Sequence, residues 1–302
     1  NALAFDGDNY ATLGDIADYD HCDRFSFGGW IKHTGVHEKN AGLFARKNGE
    51  IKREGYHVAL TPQNKIQVRL LNSPFDQHRY PKHALEVLTT SSVKKASWTH
   101  VFVTYDGSSK AEGVSIYIDG QKQRVEVIQD NLDRYSILNG NTFLVGNWNH
   151  RARKTGELMG FKGGAIDDVR IYNRELSPVE VKKLALGDIQ KEFAQATSNN
   201  KLKQELYEFY LQNYDKELAT WNKKLDSLRY QDVTIPYVMV MEENETPKET
   251  FLLARGVYDA PTEKVEAATP KDILPYPSGL PKNRLGLSKW LFDDKNPLTA
   301  RV

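Results

Sequence analysis

The feature that most constrains this chain is a succession of short alternating segments, separated by turns, that fills residues 1 to about 176. Residues 25–31, 56–60, 65–70 and 100–105 place apolar side chains at every second position, the period of a half-buried strand. Residues 114–118 run into Asp119-Gly120, a pair suited to a two-residue hairpin. No helical period interrupts these segments, which argues against alternating strands and helices around a parallel sheet. Many short strands at near-regular spacing predict a sandwich or a barrel. Trp30 and Trp98 lie in strand-like segments and are expected in its core.

The pattern changes at Ser177. Ser177-Pro178-Val179-Glu180 reads as a capping box with proline at the first helical position. A helix is predicted to Leu186, with Gly187 as its stop and Asp188 capping a continuation to Phe193. After a turn at Asn199-Asn200, a long helix is predicted from Lys201 to Leu228. Leu202, Leu206, Tyr210, Tyr214, Trp221 and Leu225 share one of its faces. Two strands are expected at 238–241 and 250–253. A proline-rich strap from Pro261 to Pro281 follows, then a short helix at 285–291, ended by Asn296-Pro297. Three segments result: a sandwich over 1–187, a helical hairpin over 188–231, and an extended part over 232–302. The last is expected to need a partner surface to fold.

Composition narrows the function. Among 302 residues, 41 Lys and Arg oppose 40 Asp and Glu, so no basic footprint for nucleic acid or anionic lipid exists. No apolar run is long enough to span a bilayer. Cys22 is the only cysteine, which excludes a disulfide or a thiolate metal cluster within the chain and suits a small core residue. Neither a His-Glu-x-x-His, a nucleophile elbow nor a phosphate-binding glycine loop is present. Asn244-Glu245-Thr246 fits a glycosylation acceptor, a match expected to be accidental.

Four segments carry a resemblance. They are residues 3–11 (LAFDGDNYA), residues 27–31 (FGGWI), residues 98–107 with 116–120 (WTHVFVTYDG, IYIDG), and residues 161–177 (FKGGAIDDVRIYNRELS). In this order they resemble the laminin-G-like, concanavalin A-like lectin superfamily over about residues 1–187. The resemblance implies a mainly β fold, a two-sheet antiparallel jelly-roll sandwich. Residues 250–259, 283–291 and 296–302 resemble the start of a domain of unknown function found C-terminally in large planctomycete-type multidomain proteins. That resemblance implies an internal piece of an exported bacterial protein, periplasmic or at the cell surface, often associated with a c-type cytochrome domain. The Cys-x-x-Cys-His of such a domain is absent, so no haem is assigned to these residues.

For the site, the superfamily resemblance implies a structural calcium (Ca2+) where the first and closing strands meet, with Asp6, Asp8, Asp167 and Asp168 as candidate ligands. Capping of backbone amides by turn aspartates is the alternative. Trp148, between Asn147 and Asn149 and near Arg151, is a candidate sugar-stacking ring, the alternative being that it anchors its own loop or packs on an adjoining domain, and Arg79 and Tyr80 form a second candidate cluster. The arginines would favour acidic glycans. Glu50, Glu54, Glu86, Glu112, Glu126 and Glu157 are scattered and read as solvated charge, not as a glycosidase pair. His33 and His37 are read as surface histidines. The expected role is a non-catalytic carbohydrate or cell-surface binding module. The alternative is a scaffold that positions neighbouring domains.

Overall fold

The computed structural model describes residues 2–34, 37–47, 53–73, 83–148, 160–187, 200–231, 249–256 and 259–298. The chain divides into two compact units, Asn1–Val233 and Thr234–Val302.

The first unit is a sandwich. In chain order its strands are β1 (Leu3–Asp6), β2 (Ala11–Thr12), β3 (Phe25–His33), β4 (Ala41–Lys47), β5 (Arg53–Leu60), β6 (Lys65–Ser73) and β7 (His83–Ser92). There follow β8 (Thr99–Tyr105), β9 (Val114–Ile118), β10 (Gln121–Lys122), β11 (Val125–Asp130), β12 (Leu144–Val145) and β13 (Lys162–Tyr172). One sheet has the order β1-β13-β3-β8-β9-β10 and the other β11-β7-β6-β5-β4-β12-β2, with antiparallel pairing throughout. The jelly-roll sandwich expected from the sequence is therefore the fold. Alternation builds its core: Phe25, Phe27, Val101 and Val103 from one sheet meet Tyr56, Val58, Val68 and Val87 from the other. Tyr19, Phe25 and Tyr56 stack at its centre, with centroids 4.7 and 5.3 Å apart. The Asp119-Gly120 hairpin forms with positive φ at both residues, 50° and 74°, as a two-residue mirror-image turn demands.

Cys22 is buried as expected, and burial pushes its thiol up to about 11. Several expectations need correction. Trp98 is exposed, and Trp30 sits edge-on to His100 on the outer face of the six-stranded sheet, so neither is a core residue. His33 and His37 are buried beside Phe161, not at the surface.

Ser177 caps α1 (Pro178–Leu186) in a complete capping box. The long helix predicted from Lys201 is two: α2 (Asn200–Tyr214) and α3 (Lys216–Arg229). Asp215 leaves helical geometry at ψ 110° and caps α3, accepting from Leu218 N at 2.7 Å. The predicted continuation to Phe193 lies outside the described residues. α3 meets the sandwich through polar groups. Arg24 reaches Asp226 and Asn222, and Arg229 donates to the Asp106 carbonyl at 2.6 Å. Its apolar face, with Trp221, Leu225 and Leu228, is exposed.

In the second unit, β14 (Thr250–Leu253) pairs with β15 (Pro261–Val265), so the start of the predicted strap is a strand. The expected strand at 238–241 lies outside the described residues. α4 (Arg284–Leu291) holds the buried Trp290, whose Nε1 donates to the Leu274 carbonyl at 2.9 Å.

Candidate functional site

The two outer faces of the sandwich differ. Phe102 and Tyr117 on the outer face of the six-stranded sheet are covered by Leu176, Val181 and Leu184 from α1 and the segment before it. On the seven-stranded sheet the residues that alternate with the core point the other way. Register puts Ala45 opposite His57, His57 opposite Arg69, Arg69 opposite Glu86, and Glu86 opposite Gln129, a single row across five strands.

A hydrogen-bonded line runs beside that row. Asn40 Nδ2 donates to Gln67 Oε1 at 2.7 Å, and Gln67 Nε2 donates to Glu86 Oε1 at 2.6 Å. Glu86 Oε2 forms an ion pair with Arg69 Nε at 3.0 Å. Glu86 is therefore a structured member of this face and not scattered surface charge. Amide, carboxylate and guanidinium are planar groups with fixed donors and acceptors, and together they can bond a row of hydroxyls.

Trp148 closes one side of this surface. Gly146, at φ 82°, turns the chain after β12, and Gly42 lets the next residues cross β4. A Cβ at Gly42 would stand 2.8 Å from the Trp148 nitrogen. The indole then fills the depression above Ala45 and Ala59. It lies edge-on to His57 at 4.6 Å and 82°, and Lys47 Nζ sits 5.3 Å over its ring. At 7% exposure Trp148 is a buried anchor, and Asn147 is buried at 1%. Of the two readings of Trp148, the structure has the loop anchor and not the exposed stacking ring: small residues on the sheet surface made room for the side chain. The Trp148 Nε1 hydrogen has no partner among the described residues. Asn149, Arg151, Arg79 and Tyr80 lie outside the described residues.

The aspartates do not converge. β1 and β13 are neighbours, but Asp6 pairs with Lys162, five residues from Asp167, a separation of about 16 Å along the strand. Asp6 Oδ1 accepts from the backbone of Asp8 and Asn9, each at 3.0 Å. The amide of Asn9, then that of Asp8, holds its carboxyl below the usual range. Asp167 accepts from the Asp168 amide, and Asp168 forks onto Arg170 with two 3.0 Å contacts. Asp8 sits exposed in the first turn. These four residues fit local capping and ion pairing, and do not fit one calcium ion between the strands. No cluster of three or more metal-ligating side chains exists among the described residues.

The family model of the concanavalin A-like lectin/glucanases superfamily matches residues 5–182. The chain belongs to this superfamily. Part of the chain is also similar, at low identity, to solved structures. A carbohydrate-binding module (CBM40) of the Ruminococcus gnavus IT-sialidase, bound to alpha2,3 sialyllactose, is 14% identical, with 61% of this chain and 95% of that chain covered and a TM-score of 0.45. The botulinum neurotoxin serotype G binding domain is 18% identical at a TM-score of 0.42, with 60% of this chain covered. This chain spans 41% of the length of that domain. A heptameric SAP-like pentraxin from Limulus polyphemus is 13% identical, with 60% and 80% covered and a TM-score of 0.41. No curated protein matches the sequence.

Proposed function

We propose that this superfamily member is a non-catalytic carbohydrate-binding module whose glycan lies on the outer face of the seven-stranded sheet. The Asn40–Gln67–Glu86–Arg69 line carries the reading, because it presents planar polar groups side by side on the face that α1 leaves open. The buried Trp148 indole borders this line and fixes one edge of the face. Lys47 and Arg69 favour a glycan bearing a carboxylate or sulfate. Both oxygens of Glu86 are engaged, by Gln67 and Arg69, which suits a fixed recognition group better than a proton donor. Calcium plays no part in this reading.

The proposed setting is a larger exported bacterial protein, at the periplasm or cell surface, with the second unit as the start of its C-terminal domain of unknown function. A scaffold role is the second reading, favoured by the exposed Tyr214, Trp221, Leu225 and Leu228 of α2 and α3. A glycan array probed with the chain separates the two: reproducible hits, enriched in acidic glycans, support recognition, and a silent array supports the scaffold.

A further inference from the structure

The second unit contains a cavity of about 660 Å3, inside the range of roughly 300–1,000 Å3 typical of small-molecule sites. Its walls are tied in place. The Tyr276 hydroxyl donates to the Pro281 carbonyl at 2.6 Å, and Asn283 caps α4 by accepting from Gly286 N at 3.1 Å. Gly286 is needed there, since a Cβ would stand 1.9 Å from the Pro281 oxygen. Trp290, one turn on, is buried and pinned to Leu274.

The lining has two characters. Ala267, Ala268, Pro275 and Leu287 form an apolar wall. Lys271, Lys282 and Arg284 add three cationic side chains, and no carboxylate is among the described residues that line the cavity. Glu266 pairs with Lys282 at 3.3 Å and, itself 81% exposed, holds it weakly. Residues 283 and 284 are also the cap and first residue of α4, so the positive end of the helix dipole adds to the same sign. A pocket with an apolar wall and three cations among its described lining residues is complementary to an apolar body that carries negative charge.

We propose that this cavity binds a small organic anion, its hydrocarbon or aromatic part against Ala267, Ala268, Pro275 and Leu287, and its carboxylate, sulfonate or phosphate against Lys271, Lys282 and Arg284. The site is independent of the glycan face of the first unit.

The test titrates the full chain with 8-anilinonaphthalene-1-sulfonate, followed by its fluorescence, beside the uncharged N-phenyl-1-naphthylamine. The sulfonate binds saturably and more tightly than the uncharged ring. K271E/K282E/R284E weakens it by at least about tenfold, the loss of one hydrogen bond to a charged group, and leaves the uncharged ring unaffected. Lys271→Gln, a single change at an exposed position, moves affinity in the same direction and guards against misfolding of the triple variant. Trp221→Ala, on the exposed face of α3, leaves binding unchanged. Equal binding of the two probes, an unaltered affinity in both lysine variants, or a signal lost with Trp221→Ala would each overturn the proposal.

Discussion

Trp148 stands edge-on to His57, centroids 4.6 Å apart, and so joins the loop after β12 to the middle of the seven-stranded sheet. The contact fixes one border of the proposed glycan face while burying an aromatic ring. Trp148→Ala is expected to cost about 3–5 kcal/mol, read from the urea midpoint, because Ala45 and Ala59 cannot close the cavity left behind. Trp148→Phe keeps most of the packing and should recover more than half of that loss. A loss below about 1 kcal/mol for the alanine variant would mean that the indole is not an anchor.

Arg46 is buried to 1% exposure, with Nε on Asp18 at 3.0 Å, one Nη on Asp15 at 2.8 Å, and the other on the Ile16 carbonyl at 2.8 Å. It ties residues 15–18 to β4. Removing it deletes these charged hydrogen bonds, while the freed Asp15 and Asp18 carboxylates, 84% and 45% exposed, rehydrate, so Arg46→Ala should destabilise by roughly 1.5–3 kcal/mol. Arg46→Lys should rescue little, because one ammonium cannot reproduce the three-sided fork. Full rescue by lysine would show that only the charge matters.

Acid sensitivity should come from buried histidines. Burial pushes His100 down to about 4 from an ordinary 6.5, opposed by Asp119 and Asp168 and aided by Arg170. Burial also lowers His37 and His21. Between pH 6.5 and about 4 the unfolded chain holds the proton that folded His100 refuses, so stability is complete above this window and falls through it. The His100 share is on the order of 3 kcal/mol. Burial raises Glu175 and Asp23, and these act in the opposite sense at the acid end. Thermal melts of the wild type and His100→Gln across pH 4–7 check this. The variant should show the shallower slope, and parallel slopes would remove His100 as the cause.

Calcium should not change the melting temperature. Asp6 and Asp167 stand about 16 Å apart along paired strands, and their oxygens already accept backbone amides. Melting in millimolar calcium and in EDTA should coincide. A shift of several degrees would reveal a bound cation, since a ligand held only by the folded state raises its stability.

The sandwich was legible because period-two alternation and turn chemistry are local signals that tertiary packing reinforces. The Asp119-Gly120 turn and the Ser177 capping box both formed as read. The break at Asp215 was hidden, because its apolar neighbours keep helical spacing straight through it while one side chain caps the next helix. The candidate site was harder. Gln67 and Arg69 alternate correctly with Ile66, Val68 and Leu70, but that pattern also describes any solvated face. Only the burial of Phe102 and Tyr117 beneath Val181 shows which face α1 covers, and that is a long-range contact. Trp148 stayed open between two readings for a related reason. Its polar neighbours suggested exposure, whereas Gly42, Ala45 and Ala59, far away in sequence, opened a place for it.

Isothermal titration of the best array glycan into the wild type, Gln67→Ala, Arg69→Ala and Trp221→Ala tests the central claim most directly. The first two variants should each lose about tenfold or more in affinity with little change in melting temperature, and Trp221→Ala should bind as the wild type does. Undiminished affinity in both Gln67→Ala and Arg69→Ala would contradict glycan recognition by the seven-stranded face.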